Sequence, residues 1–122
     1  MKQIWVVDDD QEMSNAIGLM LKLLDCEVTG FDNAKSAAES LLSGGRPDLI
    51  FLDINLDEVS GMDMLEFLRR RAEWRNLPVI MLSSETADTV VDKALGRGAN
   101  GYVMKPVTLS ELEKAMSEVL NK

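Results

Sequence analysis

Three adjacent carboxylates, Asp8, Asp9 and Asp10, follow an apolar run from Ile4 to Val7. A fourth, Asp53, closes a second apolar run, LIFLD. Like charges this close repel one another, and more strongly at the edge of a hydrophobic core, where the effective dielectric falls. A helix cap or a solvated loop would explain one such residue, and Asp10 suits the cap. Asp8, Asp9 and Asp53 together suit a bound cation. The chain has no histidine and a single cysteine, Cys26. That excludes imidazole and thiolate zinc sites and a Ser-His-Asp hydrolase. A metal at this cluster would be held by oxygen and would be a hard divalent cation. Other apolar runs also end in polar groups: VIML in Ser83 and Ser84, and GYVM in Lys105. Cation, hydroxyl and ammonium together could hold an anion, for which a phosphoryl group is the natural guess.

These groups must be positioned by regular elements, and the hydrophobic pattern supplies them. QIWVV, CEVTGF, LIFLDI, PVIMLSS and GYVM read as strands. LIFLDI is continuously apolar, as in a parallel strand covered on both faces. Between them lie helical patterns. The first has Met13, Ala16, Ile17, Met20, Leu21 and Leu24 on one face; the second, over 33–44, turns Ala34, Ala37, Ala38, Leu41 and Leu42 inward and stops at Gly44. A third begins near Gly61 with Met64, Leu65 and Leu68 inward, and a fourth buries Ala87, Val90, Val91, Ala94 and Leu95. Thr108 and Glu111 form a T-x-x-E capping box before a fifth helix, whose apolar face is Leu112, Ala115, Met116 and Val119. Five alternating β-α units predict an α/β fold, a parallel sheet with helices on both faces. In such sheets ligands bind outside the carboxyl ends of the strands, where the polar residues fall.

The 122 residues suffice for one domain with a real core, and 46% apolar and 28% charged residues are ordinary for a globular chain. A net charge of −8 argues against direct nucleic-acid binding. No apolar stretch approaches the length of a membrane span, and the strand-like run at the N-terminus leads us to expect no signal peptide. With one cysteine and no internal disulfide, a cytoplasmic location is expected.

In this order and spacing, VVDDD, LIFLDI, VIMLSS and GYVMKP resemble the receiver domain of two-component response regulators. The resemblance covers residues 1–122. It implies a flavodoxin-like, five-stranded parallel sheet of order 2-1-3-4-5. It implies that Asp53 is the phosphoacceptor, and that Asp8, Asp9, Asp53 and the backbone carbonyl of Asn55 hold Mg2+. It further implies that Lys105 contacts the phosphoryl group, that the Lys105-Pro106 peptide is cis, and that Ser83 and Tyr102 are the switch residues. The upstream partner would be a sensor histidine kinase or phosphotransfer protein. A downstream output domain or partner would read the surface of helix 4, strand 5 and helix 5. Such a domain is not an enzyme with an external substrate; it catalyses its own phosphorylation and dephosphorylation. Asn55 and Glu85 match an Asn and a Glu of chemotaxis-type receivers, which implies a short-lived phosphoryl state.

The chain departs from the family pattern at Leu56-Asp57, where many members have Met-Pro, at Val107 in KPV, and at GANGY in place of GADDY. The last puts in doubt dimerisation in the manner of the winged-helix transcription factors. Three other readings compete. A phosphatase with a nucleophilic aspartate after strand 1 would need a cap and further downstream acids. A flavin binder would need a neutral phosphate loop where three aspartates stand. A pseudo-receiver serving only as an interaction module would lack part of the site.

Overall fold

The computed structural model describes residues 1–84 and 88–120. Strands β1 (Lys2–Val7), β2 (Cys26–Phe31), β3 (Leu49–Asp53), β4 (Val79–Ser83) and β5 (Gly101–Met104) alternate with helices α1 (Gln11–Leu23), α2 (Ala34–Leu42), α3 (Gly61–Arg70), α4 (Asp88–Gly96) and α5 (Leu109–Leu120). The strands form one parallel sheet in the order β2-β1-β3-β4-β5. The order reverses direction between β1 and β3, which are neighbours at the centre.

Alternation along the central strands explains the two layers. Trp5, Val7, Ile50, Leu52, Val79 and Met81 face one core, which α2, α3 and α4 cover. Ile4, Val6, Leu49, Phe51, Ile80 and Leu82 face the other, which α1 and α5 cover. β3 and β4 are buried along their whole length, as two-sided coverage requires. Phe51 is fully buried; truncating such a side chain typically costs about 3–5 kcal/mol.

Side-chain caps fix where the helices start. Asp10, Asn33 and Ser60 accept from the backbone N–H of Met13, Ser36 and Asp63 respectively. The Thr108 hydroxyl accepts from the Glu111 N–H at 3.2 Å. The same hydroxyl lies 2.9 Å from the Glu111 carboxylate and donates to it. The expected box is thus closed through the hydroxyl.

Two side chains expected inside are outside. Leu42 is 57% exposed and Leu95 45%. Each lies in the last turn of its helix. Ala87, assigned to the fourth helix from its spacing, lies outside the described residues.

Candidate functional site

β1 and β3 pair with Val7 opposite Leu52, so the next residues, Asp8 and Asp53, emerge side by side at the carboxyl edge. Asp53 pairs across to Leu82, which puts Ser83 one step beyond it on β4. Ser83 pairs with Met104, and the Lys105 N–H donates to the Ser83 carbonyl at 2.9 Å. Backbone register alone therefore gathers Asp8, Asp53, Ser83 and Lys105.

Asp8 is 1% exposed, Asp53 4% and Ser83 fully buried, whereas Asp9 is exposed. One carboxylate oxygen from each of Asp8, Asp9 and Asp53 lies within 4.8 Å of the other two. The backbone turns back to serve two of them. The Asp10 N–H donates to Asp8 Oδ1 at 2.9 Å, and the Asn55 N–H to Asp53 Oδ1 at 3.1 Å. The other oxygens meet a single ammonium: Lys105 Nζ is 2.8 Å from Asp8 Oδ2 and 3.2 Å from Asp53 Oδ2. The Lys105-Pro106 peptide is cis.

One ammonium does not balance this cluster. Burial raises the Asp53 carboxyl above the usual carboxylate range. The Asn55 N–H opposes that rise, the Asp8 charge adds to it, and Lys105 offsets only part. Lys105 feels the converse. Burial disfavours its charge, but hydrogen bonding to Asp8 and the charges of Asp53 and Asp8 outweigh burial and hold it above the ordinary lysine value. Both groups are shifted upward, toward the proton. Three carboxylates against one ammonium leave the site with surplus negative charge. Its donor atoms are carboxylate oxygens within 4.8 Å of one another, the set a hard divalent cation takes. The residues present therefore fit Mg2+.

The remaining residues implied by the resemblance fall in three groups. Asn55 is exposed, two residues beyond Asp53. Tyr102 is partly buried and packs against the α2, α3 and α4 core; it sits opposite Met81, one step back from the Asp53 level and two strands away. Glu85 lies outside the described residues. Asp10 caps α1 through its side chain, as its position before the first helix predicts. Asp57 and Glu58 are exposed.

Gly61 is a site residue that the spacing did not single out. A Cβ there would collide with the Asp53 carbonyl oxygen. The Gly61 N–H also donates to the Ile54 carbonyl at 3.0 Å, so residues 55–60 form a loop closed directly onto the end of β3. The pair Ser60-Gly61 ahead of an apolar periodic run was the available signal, since Ser60 caps α3 and glycine permits the close approach.

This sheet order, with an acidic cluster at the switch point, defines a doubly wound α/β domain with a candidate cation site, and comparison with known proteins gives the family. Residues 4–117 match the family model of the response regulator receiver domain. The chain belongs to that family, whose members serve two-component signalling. It is 29% identical to the two-component response regulator ORR3 of Oryza sativa subsp. indica, over 98% of this chain and 91% of that one. It is equally 29% identical to the chemotaxis protein CheY-3 of Vibrio cholerae, over 98% and 92%. The chain spans 56% of ORR7, another rice regulator that it matches. Among solved structures, CheY4 of Vibrio cholerae superposes with a TM-score of 0.89 at 25% identity, covering 98% of this chain and 99% of that one. The receiver domain of a signal transduction histidine kinase from Syntrophus aciditrophicus superposes at 0.88 and 25%, covering 99% and 91%. No helix among the described residues is long and apolar enough to cross a membrane.

Proposed function

We propose that residues 1–122 act as a Mg2+-dependent phosphoacceptor in a phosphorelay, with Asp53 taking a phosphoryl group from a phosphohistidine on a sensor kinase or phosphotransfer protein. An Asp53 carboxylate oxygen forms a bond to phosphorus, the P–N bond breaks, and the electron pair leaves on the imidazole nitrogen. The observation that carries this reading is the convergence of Asp8, Asp9 and Asp53 with Lys105 Nζ 3.2 Å from an Asp53 oxygen. Repulsion between anionic nucleophile and anionic phosphoryl group is the obstacle to transfer. Lys105 stands beside the acceptor oxygen and neutralises charge there. Asp8, Asp9, Asp53 and the Asn55 carbonyl would hold Mg2+, which when bound supplies the rest of that neutralisation.

The buried Ser83 hydroxyl donates to a phosphoryl oxygen in the phosphorylated state. Tyr102, half-buried on β5, changes position in response, and the α4-β5-α5 surface passes the change to an output domain or partner. This is a population shift, so the phosphoryl contacts must favour one arrangement over the other. Asn55 and Glu85, both polar, leave the in-line path of water open and make the phosphoryl state short-lived. The chain is thus an acceptor that also assists its own dephosphorylation.

The test is incubation with acetyl phosphate, with and without Mg2+, followed by intact-mass measurement. One phosphoryl group per chain is expected, only with Mg2+, and none in Asp53→Asn. Equal labelling of Asp53→Asn refutes the assignment.

A further inference from the structure

Beside the acceptor loop lies a groove that phosphoryl chemistry leaves unused. Ala34 and Ala38 of α2, Met64 and Phe67 of α3, and Val59 of the 55–60 loop line a cleft of about 220 Å³. That exceeds the roughly 150 Å³ of an engineered cavity able to accept benzene, so a large apolar side chain fits. Val59 is 41% exposed at its mouth, although valine gains nothing from water there. A second cleft, of about 260 Å³, continues from it across Ala34, Lys35 and Val59.

The rim of this double cleft has a distinct charge. Asp63 borders the first part, and Glu39, Asp57 and Glu58 border the second. Lys35 is the only cation lining either part. Among the described residues no ion pair joins any of these five groups. Four carboxylates around an apolar slot repel an anionic surface and attract a cationic one. From this complementarity we infer that the α2-α3 groove docks a basic, amphipathic segment of a partner protein, with an apolar anchor seated between Val59, Met64 and Phe67 and Lys or Arg side chains against the acidic rim.

The groove's position links it to the acceptor. Its mouth, Val59, belongs to the loop that leaves β3 after Asp53 and returns at Gly61, against the Asp53 carbonyl. A segment seated on Val59 therefore contacts the loop that carries Asn55. The docking itself requires neither metal nor phosphoryl group, so its failure would leave the phosphoacceptor reading intact, and the converse also holds.

The experiment is a titration of 15N-labelled protein with a short synthetic peptide bearing Leu and Phe anchors one helical turn apart, flanked by lysines. Two control peptides carry glutamates in place of the lysines or serines in place of the anchors. Amide shifts are expected at Ala34, Ala38, Val59, Met64 and Phe67, with both controls binding at least about tenfold more weakly. Val59→Lys, a change at an exposed loop position, is expected to weaken the basic peptide by a similar factor with an unchanged thermal melt; Ala38→Lys, at a half-buried position on α2, is a second variant expected to weaken it. The inference is overturned if shifts map elsewhere or are absent, or if the glutamate peptide binds as well. It is also overturned if both variants bind the basic peptide normally, or if the same amides shift with protein concentration alone, which would make a second copy of this chain the occupant.

Discussion

The two ends of the sheet treat buried charge in opposite ways. At the carboxyl end, the buried carboxylates of Asp8 and Asp53 share one ammonium with the exposed Asp9 alongside, and burial leaves Asp53 protonating more readily than a free carboxylate. At the amino end, one half-buried cation is served by neutral oxygens. The Arg69 guanidinium donates to the Gly98 carbonyl, the Trp74 carbonyl and the Asn100 side chain, each at 2.9 Å. Asn100 Oδ1 also accepts from the Val79 N–H at 2.9 Å. That arrangement ties α3, the segment before β4 and the turn before β5 together. Gly98 has a φ of 105°, and a Cβ there would press on the Arg69 side chain. The Arg69 guanidinium is matched by oxygen acceptors as folded, whereas the carboxyl end is short of positive charge. One end serves stability and the other is arranged for a ligand.

The largest test of this contrast is Arg69→Ala. It removes three charge-assisted hydrogen bonds; the Trp74 carbonyl and Asn100 Oδ1 keep backbone donors, from Leu77 and Val79, while the Gly98 carbonyl loses the guanidinium. The expected cost is about 3 kcal/mol, or ~10 °C in melting temperature by calorimetry. The stabilisation that Mg2+ gives should be unchanged in this variant, because the two ends are separate.

At the carboxyl end the sign reverses, and adding a ligand stabilises. Mg2+ at a hundredfold excess over its dissociation constant should raise unfolding stability by about 2.7 kcal/mol, read from thermal melts. Asp9→Ala should lose most of that response. A melt of the unchanged protein that ignores Mg2+ would erase the contrast between the ends.

A smaller effect follows from Asp53 itself. Its folded carboxyl lies above the ordinary value of 3.8, through burial first. The sign is then fixed by linkage. The unfolded chain loses this proton at a lower pH than the folded one, so the group's contribution to stability falls as pH rises from 3.8 through the folded value. Asp53→Asn should therefore be more stable than the native protein at pH 7 without metal. The gain should vanish in acid, where both states keep the proton. Denaturant melts at several pH values check this. Asp10→Ala should be among the smallest changes, costing about 1 kcal/mol as a lost helix cap while leaving the Mg2+ response in place.

Much of this was legible in the sequence for identifiable reasons. LIFLDI and VIMLSS are buried on both faces, so their composition was nearly free of polar interruption, and the acids and hydroxyl at their ends stood out. Parallel register then carried Asp8, Asp53, Ser83 and Lys105 to one edge without any contribution from loops. Leu42 and Leu95 were misplaced because periodicity marks a helix face and not how far along the helix that face stays covered. Gly61 was missed because its role depends on how closely a loop returns to β3, a tertiary distance that one sequence does not encode in spacing. Arg69 gave no signal for the same reason, as its partners lie about 30 positions along the chain, at Gly98 and Asn100.

The central claim is that the carboxyl edge transfers a phosphoryl group onto β3 and not onto β1. The direct measurement is to label the protein with acetyl phosphate and Mg2+, reduce the acyl phosphate with borohydride, and map the altered residue by peptide mass spectrometry. The account predicts homoserine at position 53 and an unmodified Asp8. Modification at Asp8, as a strand 1 nucleophile would give, or a phosphoryl group that resists reduction, would contradict it.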